Sequence, residues 1–346
     1  MKKLPFILAI IGWCHFTTSA QVARDDARLS TNWSFEVQMN PQNDVAWLNL
    51  FEEERNQLER LHDKELSILE FNKLSTTQEN ISHAVPNSGA DLYAQFILSK
   101  FSNSAAIEQA VEIYPNNLLV REQMVNNCIV KQSAELEKHL KKEYDLAAFS
   151  ESELSYARNL LMSVEEHGLL ILNAEEDAHP LWYLQYVMKE RPDVQTVLLD
   201  LLQNESYAKE VASNNGISAN ELLDKTRSKQ LETLLKKSTT PSHLALTTSK
   251  TSIQLLAKNL YVVGLCFRYT EEKSFQNMAL LDSRFSTFSL SHMNSGEALN
   301  KNYLFPMITL RNHYKSVGKP YAEMEAKILT LAAQFGLTNL VKSNFD

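Results

Sequence analysis

Apolar positions recur at two different spacings along the chain. From about residue 30 to residue 165 they return every three or four residues, the repeat of amphipathic helices. Two stretches there, SFEVQMNPQNDVAWLNL (34–50) and AIEQAVEIYPNNLLVR (106–121), each carry a helical pattern that stops at Pro-x-Asn before a second helix starts. Pro86, in AVPNSGADLYAQF, marks a junction between them. From about 166 to 290 short apolar runs replace that spacing. Leu169–Leu172, bounded by Gly168 and a polar loop, predicts a buried strand; Val194–Leu199, His243–Thr248 and Leu260–Tyr269 predict three more. Between the first two, Pro180 stands where a helix is expected to begin, Leu181–Lys189 carries its apolar face, and Arg191-Pro192-Asp193 ends it. A strand, a helix and a strand of this length predict a right-handed parallel crossover. Residues 302–337 return to helical spacing, with Gly318 and Pro320 turning one helix into the next. The expected fold class is mixed α and α/β. It has a helical, repeat-like region over 21–165, a small, mostly parallel four-stranded α/β module over 166–290, and a C-terminal helical hairpin within 291–346.

Composition narrows the chemistry. Eight glycines in 346 residues is well below the usual ~7%, which argues against Gly-rich phosphate loops and turn-rich barrels. No GxGxxG, Walker, HExxH or GxSxG pattern occurs. The formal charge is −8 and no long basic run is present, so nucleic acid is not an expected partner. The run KHLKKEY (138–144) reads as the solvated face of a helix. Residues 1–20, MKKLPFILAIIGWCHFTTSA, have the charged start, apolar run and small-residue boundary of a secretory signal, with cleavage expected before Gln21. The mature chain is then expected in the periplasm or secreted, with no segment long and apolar enough to span a bilayer. It keeps Cys128 and Cys266, each in an apolar setting, which reads as two core thiols with a disulfide as the alternative.

The Pro-terminated helix pairs resemble the junctions of tetratricopeptide repeats in a degenerate form. Such pairs offer a concave face for a peptide, or else pack against a neighbouring domain. A second resemblance rests on LLILNAEEDAHPLWYLQYVMKERPDVQTVLLDLL (169–202), followed in order by SHLALTTSK (242–250) and LAKNLYVVGLCFRYT (256–270). These are similar to the soluble C-terminal region of the bacterial protein O-mannosyltransferase-like membrane family. There a strand leads into Asn-Gly-Asp-Asn-Asp-Thr, then Pro-Leu-Trp-Tyr, then Arg-x-Asp-Val and a second strand. The resemblance implies an extracytoplasmic α/β module beside helical repeats, without the membrane-embedded catalytic half. Here the family's loop becomes Ala174-Glu175-Glu176-Asp177-Ala178, losing its glycine and threonine.

In open parallel sheets ligands sit beyond the carboxyl ends of the strands. The candidate ligand-binding residues are therefore Asn173, Glu175, Glu176, Asp177 and His179 after the first strand, and Asp200 after the second. Their oxygens and imidazole suit a divalent cation or a polyol; the other reading is a solvated acidic loop at a helix N-terminus. No catalytic residue and no obligate cofactor is expected. The function expected is a noncatalytic binding or scaffold protein of the bacterial envelope with a protein or glycan partner. The alternative is a glycan-active hydrolase or transferase that uses loop 173–179.

Overall fold

A computed structural model describes residues 31–62, 68–173, 175–248, 253–254 and 256–345. The expected signal at 1–20 lies outside the described residues. The described chain divides into two compact units, one built from 149–198 and 234–345, the other from 31–148 and 199–233.

The second unit is helical. It contains α1 (Trp33–Met39), α2 (Asp44–His62), α3 (Ile68–Ala84), α4 (Gly89–Leu98), α5 (Ser104–Ile113), α6 (Leu118–Lys131) and α7 (Leu136–Asp145). The three proline junctions fall between helices as expected: Pro41 separates α1 from α2, Pro86 separates α3 from α4, and Pro115 separates α5 from α6. Asparagine or serine side chains then cap the new helices, Ser88 accepting from Asp91 N and Asn117 from Val120 N. Consecutive helices pack on one another, and α2 also packs on α4. Gly89 opens α4 because a side chain has no room there. A Cβ would lie 2.2 Å from the Tyr114 ring.

The other unit begins with α8 (Glu151–Met162), closed by a reciprocal capping box between Ser150 and Glu153. Then come β1 (Leu169–Leu172), α9 (Glu175–Trp182), a π-turn (Tyr183–Val187) and β2 (Gln195–Leu198). After β2 the chain enters the helical unit through a 3₁₀ turn (Leu199–Gln203) and α10 (Glu205–Asn214), then follows α11 (Arg227–Lys237) to β3 (Ser242–Ala245). Next are β4 (Leu260–Val262), β5 (Cys266–Tyr269), α12 (Asn277–Phe285), α13 (Leu304–Val317), α14 (Ala322–Gln334) and α15 (Thr338–Lys342).

The sheet has five strands in the order β2-β1-β3-β5-β4. β1 runs parallel to β2, with Leu169 opposite Gln195, and parallel to β3, with Leu169 opposite Ser242. β3 pairs antiparallel with β5, and β5 with β4. The expectation of four mostly parallel strands is corrected: the sheet is mixed, because the run Leu260–Tyr269 is a hairpin and not one strand. Both arms are buried, so the apolar run continues through the turn and conceals it. The signal was Gly264, whose φ is +154° and where a Cβ would come within 2.2 Å of the Ser163 hydroxyl oxygen. That oxygen accepts from Leu265 N at 2.9 Å and fixes the turn to the end of α8.

The C-terminal hairpin forms as expected, α13 ending at Gly318 before α14 begins. Within this unit Phe305 packs on Phe267 of β5, ring centroids 5.8 Å apart, and Tyr303 packs edge-on against Tyr156 of α8. Asn159 donates to the Tyr303 hydroxyl at 2.7 Å. Cys128 and Cys266 are both buried free thiols, and burial pushes them up to about 11 and about 12.

Candidate functional site

Since β1 and β3 are parallel neighbours, their carboxyl ends open side by side. β1 continues into Asn173 and α9, and β3 into Leu246, Thr247 and Thr248. This pairing brings residues 70 or more positions apart into contact. The Thr247 hydroxyl donates to Asp177 Oδ2, and Asn173 Nδ2 reaches the Thr247 carbonyl at 3.5 Å. Asp177 stands in the first turn of α9 yet is only 2% exposed. Its side chain turns inward to Thr247 and does not lie in solvent. Its second oxygen, Oδ1, has no hydrogen-bond partner among the described residues, and neither has the buried hydroxyl of Thr248. Burial raises the Asp177 carboxyl to about 7; the Thr247 bond pulls it the other way and neighbouring Glu176 adds to the rise.

The remaining candidates are placed differently. Glu175 and Glu176 are half-buried in the first turn of α9, and His179 is buried with its ring 5.3 Å from that of Trp182. Asp200 belongs to the helical unit, in the 3₁₀ turn after β2, and is ion-paired with Arg227. Among the described residues no three His, Cys, Asp or Glu side chains are assembled as a metal-ligand group.

The residues that carried the resemblance have structural work of their own. Trp182 is buried and donates from Nε1 to the Thr196 hydroxyl of β2 at 3.0 Å. Gln185, in the π-turn, donates to the Val194 and Arg191 carbonyls at 2.8 and 3.0 Å. Arg191 forks onto Asp193, Nε to Oδ1 and Nη2 to Oδ2, both at 2.8 Å. Its Nη1 donates to the Leu161 carbonyl at 2.9 Å, which also accepts from Val164 N at 3.1 Å, and to the Val164 carbonyl just past the end of α8 at 3.2 Å. Asp193 Oδ2 in turn accepts from His167 N at 3.1 Å. The Arg191 fork, helped by that backbone bond, holds the Asp193 carboxyl well below its ordinary range. Arg-x-Asp-Val is thus a clamp joining α8, the turn before β1, and β2.

A second buried polar group lies at the amino ends of the strands and was not anticipated from the sequence. His243, the second residue of β3, stands opposite Arg268 of β5, and Glu165 precedes β1. Glu165 Oε2 lies 3.3 Å from His243 Nε2 and 2.5 Å from Arg268 Nε. The contact with His243, then the Arg268 charge, hold the Glu165 carboxyl at about 2 against burial, while complete burial lowers His243. His243 Nδ1 donates to the Leu169 carbonyl at 3.3 Å. Only the strand pairing brings these three together, so no local motif announces them.

A family model described as TMEM260-associated domain 2 matches residues 153–233; TMEM260 is an O-mannosyltransferase-related family. The match runs from α8 through β1, α9 and β2 and into α11, and it stops before the 242–250 and 256–270 stretches. No curated protein and no solved structure matches the chain.

Proposed function

We propose that this chain is a noncatalytic, exported binding or scaffold protein of the bacterial cell envelope, and that its partner is a protein or a glycan. One observation carries the reading: the central carboxylate of the acidic loop, Asp177, is shut inside the unit and bonded to Thr247. A carboxylate that chelates a cation or attacks a glycoside must face its ligand, whereas this one joins α9 to the end of β3. Other residues of the same stretch, Trp182, Gln185, Arg191 and Asp193, likewise spend their polar groups on the fold. The match to a domain of an O-mannosyltransferase-related family supports glycans, or proteins that carry them, as the partner class.

The test is to incubate the full chain with labelled envelope glycans and mannosides, following binding by fluorescence anisotropy and turnover by product analysis. Saturable binding with the glycan recovered intact supports the proposal. Glycoside or phosphoester turnover that disappears in Asp177→Asn would overturn it.

A further inference from the structure

We propose that the cleft between α6 and α7 of the helical unit binds a phosphoryl group. The run at 138–144 was expected to be a solvated helix face, yet His139 within it is only 7% exposed. It is covered by Arg121 of α6, whose Nε donates to the Pro115 carbonyl at 2.6 Å and whose Nη1 lies 3.3 Å from His139 Nδ1. A guanidinium only donates, so Nδ1 is the acceptor and the imidazole proton sits on Nε2. Burial first, then the Arg121 and Lys138 charges, keep the ring below its ordinary value and so neutral. The Nε2–H has no acceptor among the described residues, and His139 lines a cleft of about 540 Å³ together with Arg121 and Lys142.

Arg121 Nη2 and the Lys142 ammonium are likewise without a partner among the described residues. The unspent hydrogen-bonding capacity of these buried and half-buried groups is all donor. Lys138 and Lys141 also line the cleft and are held by Glu135 at 2.7 Å and Glu137 at 2.6 Å, exposed pairs of small worth. Glu137 and Asp145, which also line the cleft, and buried Glu143 near Arg121 offset part of the positive charge. The donors come from two helices, Arg121 from α6 and His139 and Lys142 from α7. A planar carboxylate presents two oxygens to such a set, whereas a tetrahedral phosphoryl group presents three to separate donors. The group is carried either by a soluble phosphorylated compound or by the headgroup of an anionic phospholipid.

The test follows the His139 Nε2–H resonance by nitrogen-15 NMR on the full chain. Titrants are inorganic phosphate, glycerol phosphate, and vesicles of phosphatidylglycerol in phosphatidylcholine. The resonance should shift saturably with phosphate, not with chloride at matched ionic strength, and the affinity should fall about tenfold or more in Lys142→Gln. That substitution leaves the buried His139–Arg121 contact intact, and Arg121→Lys provides the second variant. Response to the soluble phosphates assigns a phosphorylated small molecule, and response to vesicles alone assigns the headgroup. Silence with all three titrants, an equal response to chloride, or an unchanged affinity in Lys142→Gln would overturn the site.

Discussion

Asp177 sets a pH signature that a solvated carboxylate would not give. The native state keeps its proton until about pH 7, while the unfolded chain releases it near pH 4. Between those values only the unfolded state ionises, so stability falls as pH rises through this window and stays low above it. The full shift corresponds to about 4 kcal/mol. Asp177→Asn removes the charge and leaves an oxygen for the Thr247 hydroxyl, so that part of the profile should flatten. Urea denaturation should find the variant more stable than the wild-type chain at pH 8, and the two within about 1 kcal/mol at pH 4. Glu165 and Asp193 act in the opposite sense. Their carboxyls are lowered, so what they contribute is present above about pH 4 and is lost as pH falls toward their native values.

At the level of elements, the connection from α8 to β2 depends on the Arg191–Asp193 clamp. Arg191→Lys keeps a charge but loses the fork and the guanidinium bonds to the Leu161 and Val164 carbonyls, so thermal or urea unfolding should register a loss of about 2 kcal/mol. Trp182→Phe, which loses the bond to Thr196 and part of a fully buried ring, should cost about 1–3 kcal/mol. Equal stability in both variants would show that the clamp is ornamental.

Several elements were legible because their signals are local. The limits of β1, the three proline junctions and the Gly318 turn each depend on neighbouring residues alone. The hairpin of β4 and β5 was not legible, since two buried arms read as one apolar run. The start of α9 was misplaced for a related reason. Proline favours the first turn of a helix, but Pro180 sits inside α9, five residues after Glu175 and just before the π-turn. The loop residues Asn173 and Asp177 were identified from the sequence. Their partner Thr247 was not, because only the parallel pairing of β1 with β3 brings it there.

For the whole molecule, neither unit is a continuous piece of chain. Residues 199–233 belong with the helices, where α10 packs on α6 and Asn204 holds the segment in place. Asn204 Oδ1 caps α10, while Nδ2 donates to the carbonyls of Lys100 at 3.4 Å and Phe101 at 3.2 Å. Asn204→Asp keeps the cap and loses the tether, so denaturant unfolding should show a loss of about 1–3 kcal/mol. In the sheet-bearing unit, deleting 304–346 uncovers Phe267 and the apolar faces of β5 and α12. The truncated chain should bind a hydrophobic dye and aggregate, and a monomer with unchanged melting would contradict that packing. The central claim is that the acidic loop locks the fold and does not hold a cation for chemistry. Its most direct test is thermal unfolding of the full chain and of Asp177→Asn at pH 8, each with and without Ca²⁺ or Mn²⁺. The account predicts melting temperatures indifferent to either metal and a higher value for Asp177→Asn; a metal-dependent rise in the wild-type chain that vanishes in Asp177→Asn would contradict it.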